Sequence, residues 1–316
     1  MPGGRVRVLY IGGLGRSGST LVERLAGQLP GACAVGELVH LWERGVTLGE
    51  RCGCGAPFHR CPFWAQAGKT GFGGWDEVDP GRVAALRSRV DRNRYIPALA
   101  RRDLAAGRRR ELAEYTGYYA RLYAAVAEVS GAELVIDSSK HPSLAHCLRW
   151  QDGVDLRVLH LVRDSRAVAY SWGRQVRRPD CDKVSYMTRY SPAVAAGQWN
   201  GQNAAFHLLR GVPVLRMRYE DFVAAPEAAL DRIAGLAGLP PVPPGYSFLG
   251  ADGGSRWAEL EPGHSVSGNP MRFATGKIPV RPDERWRAGM PKAQRRAVTA
   301  LTLPLLAGYG YLGGRR

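Results

Sequence analysis

A chain of 316 residues, 45% of them hydrophobic, can bury the core of one large domain, or of one domain with a subdomain. The formal charge of +16 invites a nucleic-acid partner, but only five of the 44 basic residues are lysines (Lys69, Lys140, Lys183, Lys277 and Lys292), and the arginines are scattered through a Gly- and Ala-rich chain. No nucleic-acid partner is therefore expected, only a modest bias toward anionic ligands.

The chain runs from MPGGR straight into an apolar strand with no signal-peptide pattern, and its apolar run Ala300–Ala307 is broken by Pro304 and too short to span a bilayer. With six cysteines and no secretory signal, the expectation is a cytoplasmic protein with reduced thiols and no membrane span. In chain order, RVRVLYIGG (Arg5–Gly13) reads as a buried strand feeding a loop, and Ser19–Leu29 as a helix with Leu21, Val22, Leu25 and Leu29 on one stripe. Cys33–Gly36 reads as a second short strand. From about Trp42 to Ser130 the character changes to a mostly helical insertion, with Leu112, Tyr115, Tyr119 and Leu122 at helical spacing. The α/β rhythm then resumes: strands at Glu133–Ser139, Leu156–Asp164 and Val212–Asp221, and helices at Pro142–Trp150, Ser165–Val176, Pro192–Leu209 and Pro226–Leu239. Such alternation predicts an α/β fold with a parallel sheet flanked by helices and ligands at the carboxyl ends of its strands. Pro240–Pro282, rich in Gly, Pro and Ser, is expected to be a loop, followed by a helical tail over about Arg281–Leu306.

Three strand ends carry polar clusters. The first reads GLGRSGST. It has the glycine spacing of a Walker A loop, but Ser19 stands at the lysine position and Arg16 supplies the charge. Its backbone N–H groups, the following helix start, Arg16 and the hydroxyls of Ser17, Ser19 and Thr20 around Gly18 make a phosphate cradle, with a tight capped turn as the alternative. The strand ending LVRDS puts Arg163 at its tip, with Asp164 and Ser165 as capping residues and Ser171 eight positions after Arg163. A third cluster, DSSKHP, carries Lys140 and His141.

Together these clusters resemble sulfotransferases that use 3′-phosphoadenosine 5′-phosphosulfate (PAPS). GRSGST matches that family's P-[KR]-[SAP]-G-[ST]-[ST] loop except that Gly15 replaces the proline. Arg163 and Ser171 have the spacing of its 3′-phosphate pair, and Tyr219–Glu220–Asp221 resembles its YED stretch beside the adenine. The resemblance covers residues 5–40 and 133–290, not 42–130. It implies a P-loop nucleotide-kinase-like sulfotransferase fold, read as a single domain over 1–316, in which 42–130 forms a wall or lid of the acceptor site.

It also implies PAPS as sulfuryl donor and a hydroxyl acceptor on a small molecule, glycan or lipid. Arg16 and Lys140 would stabilise the leaving phosphate. Two residues compete as the base: Glu37, as in the tyrosylprotein- and carbohydrate-type branches, and His141, as in the phenol and steroid branch. The latter places its histidine two residues after the lysine rather than next to it, so Glu37 is favoured. The segment His264–Ile278 resembles the loop that folds over the nucleotide, with Ser265, Ser267, Asn269, Lys277 and above all Arg272 as candidate contacts. Rival readings are a P-loop kinase or NTPase with Asp137 as its magnesium ligand, and a non-catalytic polyanion binder.

RCGCGAPFHRCPFW (Arg51–Trp64) stands apart. Cys52, Cys54, His59 and Cys61 number the four ligands of a structural zinc site, but C-x-C-x4-H-x-C is not a standard knuckle, and a buried-cysteine loop or a labile disulfide fits equally. No metal is assigned to the reaction.

Overall fold

The structure is a computed structural model that describes residues 4–181, 184–240 and 245–313. Its strands are β1 (Val6–Gly12), β2 (Ala32–Gly36), β3 (Leu134–Lys140), β4 (Val154–Val162), β5 (Arg177–Arg178), β6 (Ser185–Tyr186), β7 (Val214–Arg218), β8 (Leu249–Asp252), β9 (Ser255–Leu260) and β10 (Gly276–Pro279). Five of them form the expected parallel sheet, in the order β2-β3-β1-β4-β7. β1 lies at the centre, and its period-2 side chains divide the core. Val8 and Tyr10 point to one face, Leu9 and Ile11 to the other, and all four are fully buried.

The two faces receive different parts of the chain. Leu9 and Ile11 meet Leu21, Val22 and Leu25 of the helix Ser19–Ala26 and Leu230 and Ile233 of the helix Pro226–Ala237. Val8 and Tyr10 meet the insertion, whose helices Pro62–Phe72, Pro80–Val90, Ile96–Arg101 and Ala106–Ser130 bury Trp64, Leu86, Tyr115, Tyr119 and Tyr123. The insertion is thus mostly helical, as its periodicity predicts, and it completes the main core.

Two expectations are corrected. Pro240–Pro282 is not simply a loop: β8, β9 and β10 form an antiparallel sheet in the order β10-β9-β8, turned at Asp252–Ser255 through two glycines. The flanking Gly and Pro residues mask the short alternation of Ser255–Leu260, which buries Ala258 and Leu260. Residues 241–244 of that expected loop lie outside the described residues. The strand expected over Val212–Asp221 stops at Arg218, because Tyr219–Ala224 already forms a helix. The tail divides into the helices Arg285–Gly289 and Lys292–Gly308.

One buried carboxylate ties these segments together. Glu23, in the middle of the helix after the β1 loop, is 1% exposed and accepts hydrogen bonds from the Gly36 backbone N–H (2.8 Å), Ser138 Oγ (2.8 Å) and Ser265 Oγ (2.9 Å). Its neighbour Arg24 donates to the carbonyls of Met271 and Arg272 at 3.1 and 3.2 Å, and also to that of Ala274. Replacing Glu23 by Ala leaves three buried donors without an acceptor. Urea unfolding of Glu23→Ala should show a loss of at least about 3 kcal/mol. A loss below about 1 kcal/mol would mean that the carboxylate does not hold these segments.

Candidate active site

A cavity of about 840 Å³ opens at the carboxyl edge of the parallel sheet. Most of the residues singled out in the sequence line it: Arg16, Gly18, Ser19 and Thr20 after β1, Glu37 after β2, Lys140 and His141 at the end of β3, Arg163 and Ser171 after β4, and Tyr219 after β7. Ser17 is buried in the loop beside them, and Ser267 lies next to the lining residue Gly268.

The β1 loop reaches its shape through left-handed backbone. Gly18, at φ 88°, caps the helix Ser19–Ala26, and a Cβ there would meet the Tyr219 ring at 2.3 Å, so only glycine fits. Arg16 also has positive φ (74°), as do Lys140 (68°) and Ser267 (59°). Three of the four described non-glycine residues with positive φ therefore cluster at this cavity, the placement expected of backbone strain held at a working site. Arg16 stacks over the Trp172 ring (5.3 Å), while its buried Nε and Nη2 have no hydrogen-bond partner among the described residues. Such a guanidinium is costly unless an anion meets it.

Beside the loop, Arg163 Nη1 donates to the Arg16 carbonyl (3.0 Å) and Nη2 to the Asp283 carbonyl (3.1 Å), and its guanidinium lies 4.9 Å from the centre of the Tyr219 ring. The Asp283 carboxylate stands 3.6 Å away, held to about 2 by hydrogen bonding to Arg285 against the opposing effect of burial. Arg163 and Tyr219 thus stand together in a cavity whose lining also includes Ser171.

In the same cavity Lys140 Nζ makes a direct ion pair with Glu37 Oε1 and also donates to the Ser138 carbonyl (3.0 Å). Burial pushes the Glu37 carboxyl up, but Lys140, His40 and Arg44 together outweigh it and hold the carboxyl below the ordinary glutamate value. His40 Nε2 stands 3.7 Å from Glu37 Oε2, and its ring meets that of His141 edge-on at 5.9 Å. Burial drives His40 down to about 3, so it is neutral at pH 7. Burial also lowers His141, whose Nδ1 faces Arg87 Nη2 at 3.4 Å. The two rival bases therefore share one corner, bridged by His40. The sequence reading missed His40, although its i, i+3 spacing from Glu37 is visible.

Some expected residues lie elsewhere. Arg272 is 2% exposed and faces away from the cavity, donating to the carbonyls of Ser265 and Arg51 (2.8 Å each) and pairing with Asp180 at 3.2 Å. It braces the late loop from behind. Asn269 lines the cavity, Lys277 does not, and Ser265 is turned to Glu23. Asp137 is fully buried and accepts from Tyr123 OH (2.6 Å) and the Ser139 N–H (2.8 Å), which leaves it outside the lining. Of the segment 42–130, Arg44 alone lines the cavity, donating to Ser267 Oγ at 2.8 Å. The facing wall comes instead from Trp172, Arg174, Arg178, Tyr186 and Tyr190 around the β5–β6 ribbon.

A parallel five-stranded sheet flanked by helices, with a cavity at the carboxyl ends of its strands, defines the α/β class of fold. The particular fold is that of a sulfotransferase domain. A sulfotransferase domain from the olefin synthase of Synechococcus PCC 7002 superposes with a TM-score of 0.51 at 20% identity, over 98% of this chain and 97% of that one. A sulfotransferase domain from the curacin biosynthetic pathway gives 0.45 at 15% identity over 94% and 96%, and the fold assignment rests on the first. No protein-family model and no curated protein matches the sequence. No described helix is long and apolar enough to cross a membrane.

If the β1 loop is an anion cradle, pyrophosphate at a hundredfold excess over its dissociation constant should stabilise the protein by about 2.7 kcal/mol. Arg16→Ala should lose most of that gain in thermal unfolding, and an undiminished gain would place the anion elsewhere.

Proposed function

We propose that this protein transfers a sulfuryl group from PAPS to a hydroxyl of a small-molecule, glycan or lipid acceptor. The observation that carries the reading is the guanidinium of Arg16, whose buried Nε and Nη2 have no hydrogen-bond partner among the described residues, in one cavity with two further groups: Arg163, Ser171 and Tyr219, and the Glu37–Lys140 pair. That set suits a donor with two anionic groups, one at the loop and one at Arg163.

The chain's task is positioning and charge management. The β1 loop amides, Arg16 and the hydroxyls of Ser17, Ser19 and Thr20 hold the 5′ group, while Arg163 and Ser171 hold the 3′-phosphate. Glu37 takes the proton of the acceptor hydroxyl as its oxygen bonds to sulfur and the bond from sulfur to the phosphate oxygen breaks. Lys140 and Arg16 receive the charge left on that phosphate. The ion pair seen here adds a device: a bound anion that draws Lys140 off Glu37 removes the principal charge holding the carboxyl down. Burial then raises its basicity. Neutral His40 and His141 remain beside it to relay or orient.

The rival readings have less support. A kinase or NTPase needs a lysine where Ser19 stands and an acidic metal ligand in the cavity, whereas Asp137 is enclosed and satisfied. A pure polyanion binder has no use for the buried Glu37–Lys140 pair.

Calorimetric titration with adenosine 3′,5′-bisphosphate, the nucleotide left after transfer, should give micromolar binding that is indifferent to magnesium and weakened by loss of either phosphate. ATP binding that requires magnesium would overturn the reading. Glu37→Gln should lower turnover by about 10²–10⁴-fold while leaving bisphosphate affinity unchanged, and near-normal turnover would shift the base to His141.

A further inference from the structure

The segment Arg51–Trp64 and the late loop meet at a cluster with no part in the reaction described above. The Sγ atoms of Cys52, Cys54 and Cys61 and a ring nitrogen of His264 all lie within 4.8 Å of one another. His59 is not among them: its Nε2 is hydrogen-bonded to the Val46 carbonyl (2.9 Å). The fourth group comes from 203 residues beyond Cys61.

We infer that Cys52, Cys54, Cys61 and His264 bind one zinc ion in a structural Cys3His site that joins the helical insertion to the loop beside the catalytic corner. Bonds of about 2.3 Å to sulfur and about 2.0 Å to nitrogen at tetrahedral angles separate the sulfurs by about 3.8 Å, and sulfur from nitrogen by about 3.5 Å. Here Cys61 Sγ is 3.7 Å from both Cys52 Sγ and Cys54 Sγ, and His264 Nδ1 is 3.3 Å from Cys61 Sγ and 3.7 Å from Cys52 Sγ. Cys52, Cys54 and Cys61 form no disulfide with one another, so no such bond accounts for the convergence.

The surroundings orient the ligands as the second shell of a metal site does. The His264 ring stacks on Phe63 at 4.7 Å and an interplanar angle of 6°, which keeps it in place beside the sulfurs, and Trp64 Nε1 holds the His264 carbonyl at 2.9 Å. A tight turn, with the Cys52 N–H on the Ala56 carbonyl and the Gly55 N–H on the Cys52 carbonyl (2.8 Å each), brings the first two cysteines to the same point. Cys61 immediately precedes the helix Pro62–Phe72. The four ligands fill a tetrahedral shell with no open position, the arrangement of a structural rather than a catalytic zinc.

The placement gives the site a consequence. His264 is followed by Ser265, which is held by Glu23, and by Val266, whose carbonyl accepts the Glu37 N–H at 2.8 Å. A metal here fixes the start of the late loop and, through it, the backbone at Glu37.

Elemental analysis of the full-length protein, purified under reducing conditions with zinc present, should find one equivalent per chain. His264→Ala and Cys61→Ser should lose it, and His59→Ala should keep it. Should Cys61→Ser fail to fold, titrating the wild-type protein with a mercurial thiol reagent in the presence of a colorimetric zinc indicator replaces it: zinc release should track modification of three thiols. Chelation should also speed proteolysis after the exposed Lys277. Substoichiometric metal after loading, or metal lost in His59→Ala and kept in His264→Ala, would overturn the proposal. Metal content is read without any sulfuryl transfer, so this result stands or falls apart from the proposed reaction.

Discussion

The site depends on a carboxylate that never reaches the cavity. Glu23 sits in an apolar helix where burial raises its carboxyl, an effect that its hydrogen bonds to Ser138, Ser265 and Gly36 offset only in part. Two of those donors lie beside cavity-lining residues, Gly36 before Glu37 and Ser138 two before Lys140, and Ser265 is the second residue of the late loop. A buried acceptor with three donors has little tolerance for their displacement, since any donor that moves away leaves a desolvated group unpaired. The helix that starts at the β1 loop thereby sets the positions of the ends of β2 and β3 and of the late loop.

Around that fixed point the cavity holds unresolved tensions. Arg16, Lys140 and Ser267 are kept in left-handed backbone, and Arg16 keeps two buried nitrogens without partners among the described residues. Lys140 and Glu37 neutralise each other in a corner where both histidines are uncharged. Conformations that cost about 1–3 kcal/mol each persist only where the rest of the fold over-determines them. Here that determination comes from β1 at the sheet centre, from Glu23, and from Arg24 on the carbonyls of the late loop.

Much of this was legible in the sequence because it is local. The β1 loop, Arg163 with Ser171, and DSSKH each follow an apolar strand, and strand ends in a parallel sheet gather at one edge. What sequence could not supply is pairing at a distance. Glu23 looks like one more helical residue; only the fold shows three segments converging on it. His59 looked like the partner of three nearby cysteines, yet its ring goes to a carbonyl and His264 takes its place. Arg272 looked like a phosphate contact, yet Asp180, far off in sequence, turns it inward. The aromatic residues of 42–130 read equally as core or cavity wall. Packing of Trp42, Trp64, Trp75, Tyr115 and Tyr119 puts them in the core, and the wall falls to Trp172, Tyr190 and the residues of the β5–β6 ribbon, which is too short for a periodic signal.

The way the insertion is attached bears on how such a protein can change over time. Between residues 65 and 130 the described hydrogen bonds reach a cavity-lining side chain once, from Arg87 to His141. Apart from Tyr123, which donates to the enclosed Asp137 of β3, the remainder of that stretch meets the sheet through apolar volume on the Val8 and Tyr10 face. A region that answers to volume rather than to chemistry can exchange one large side chain for another without touching the cavity. Drift should therefore run fastest through these helices and slowest at one arginine among them.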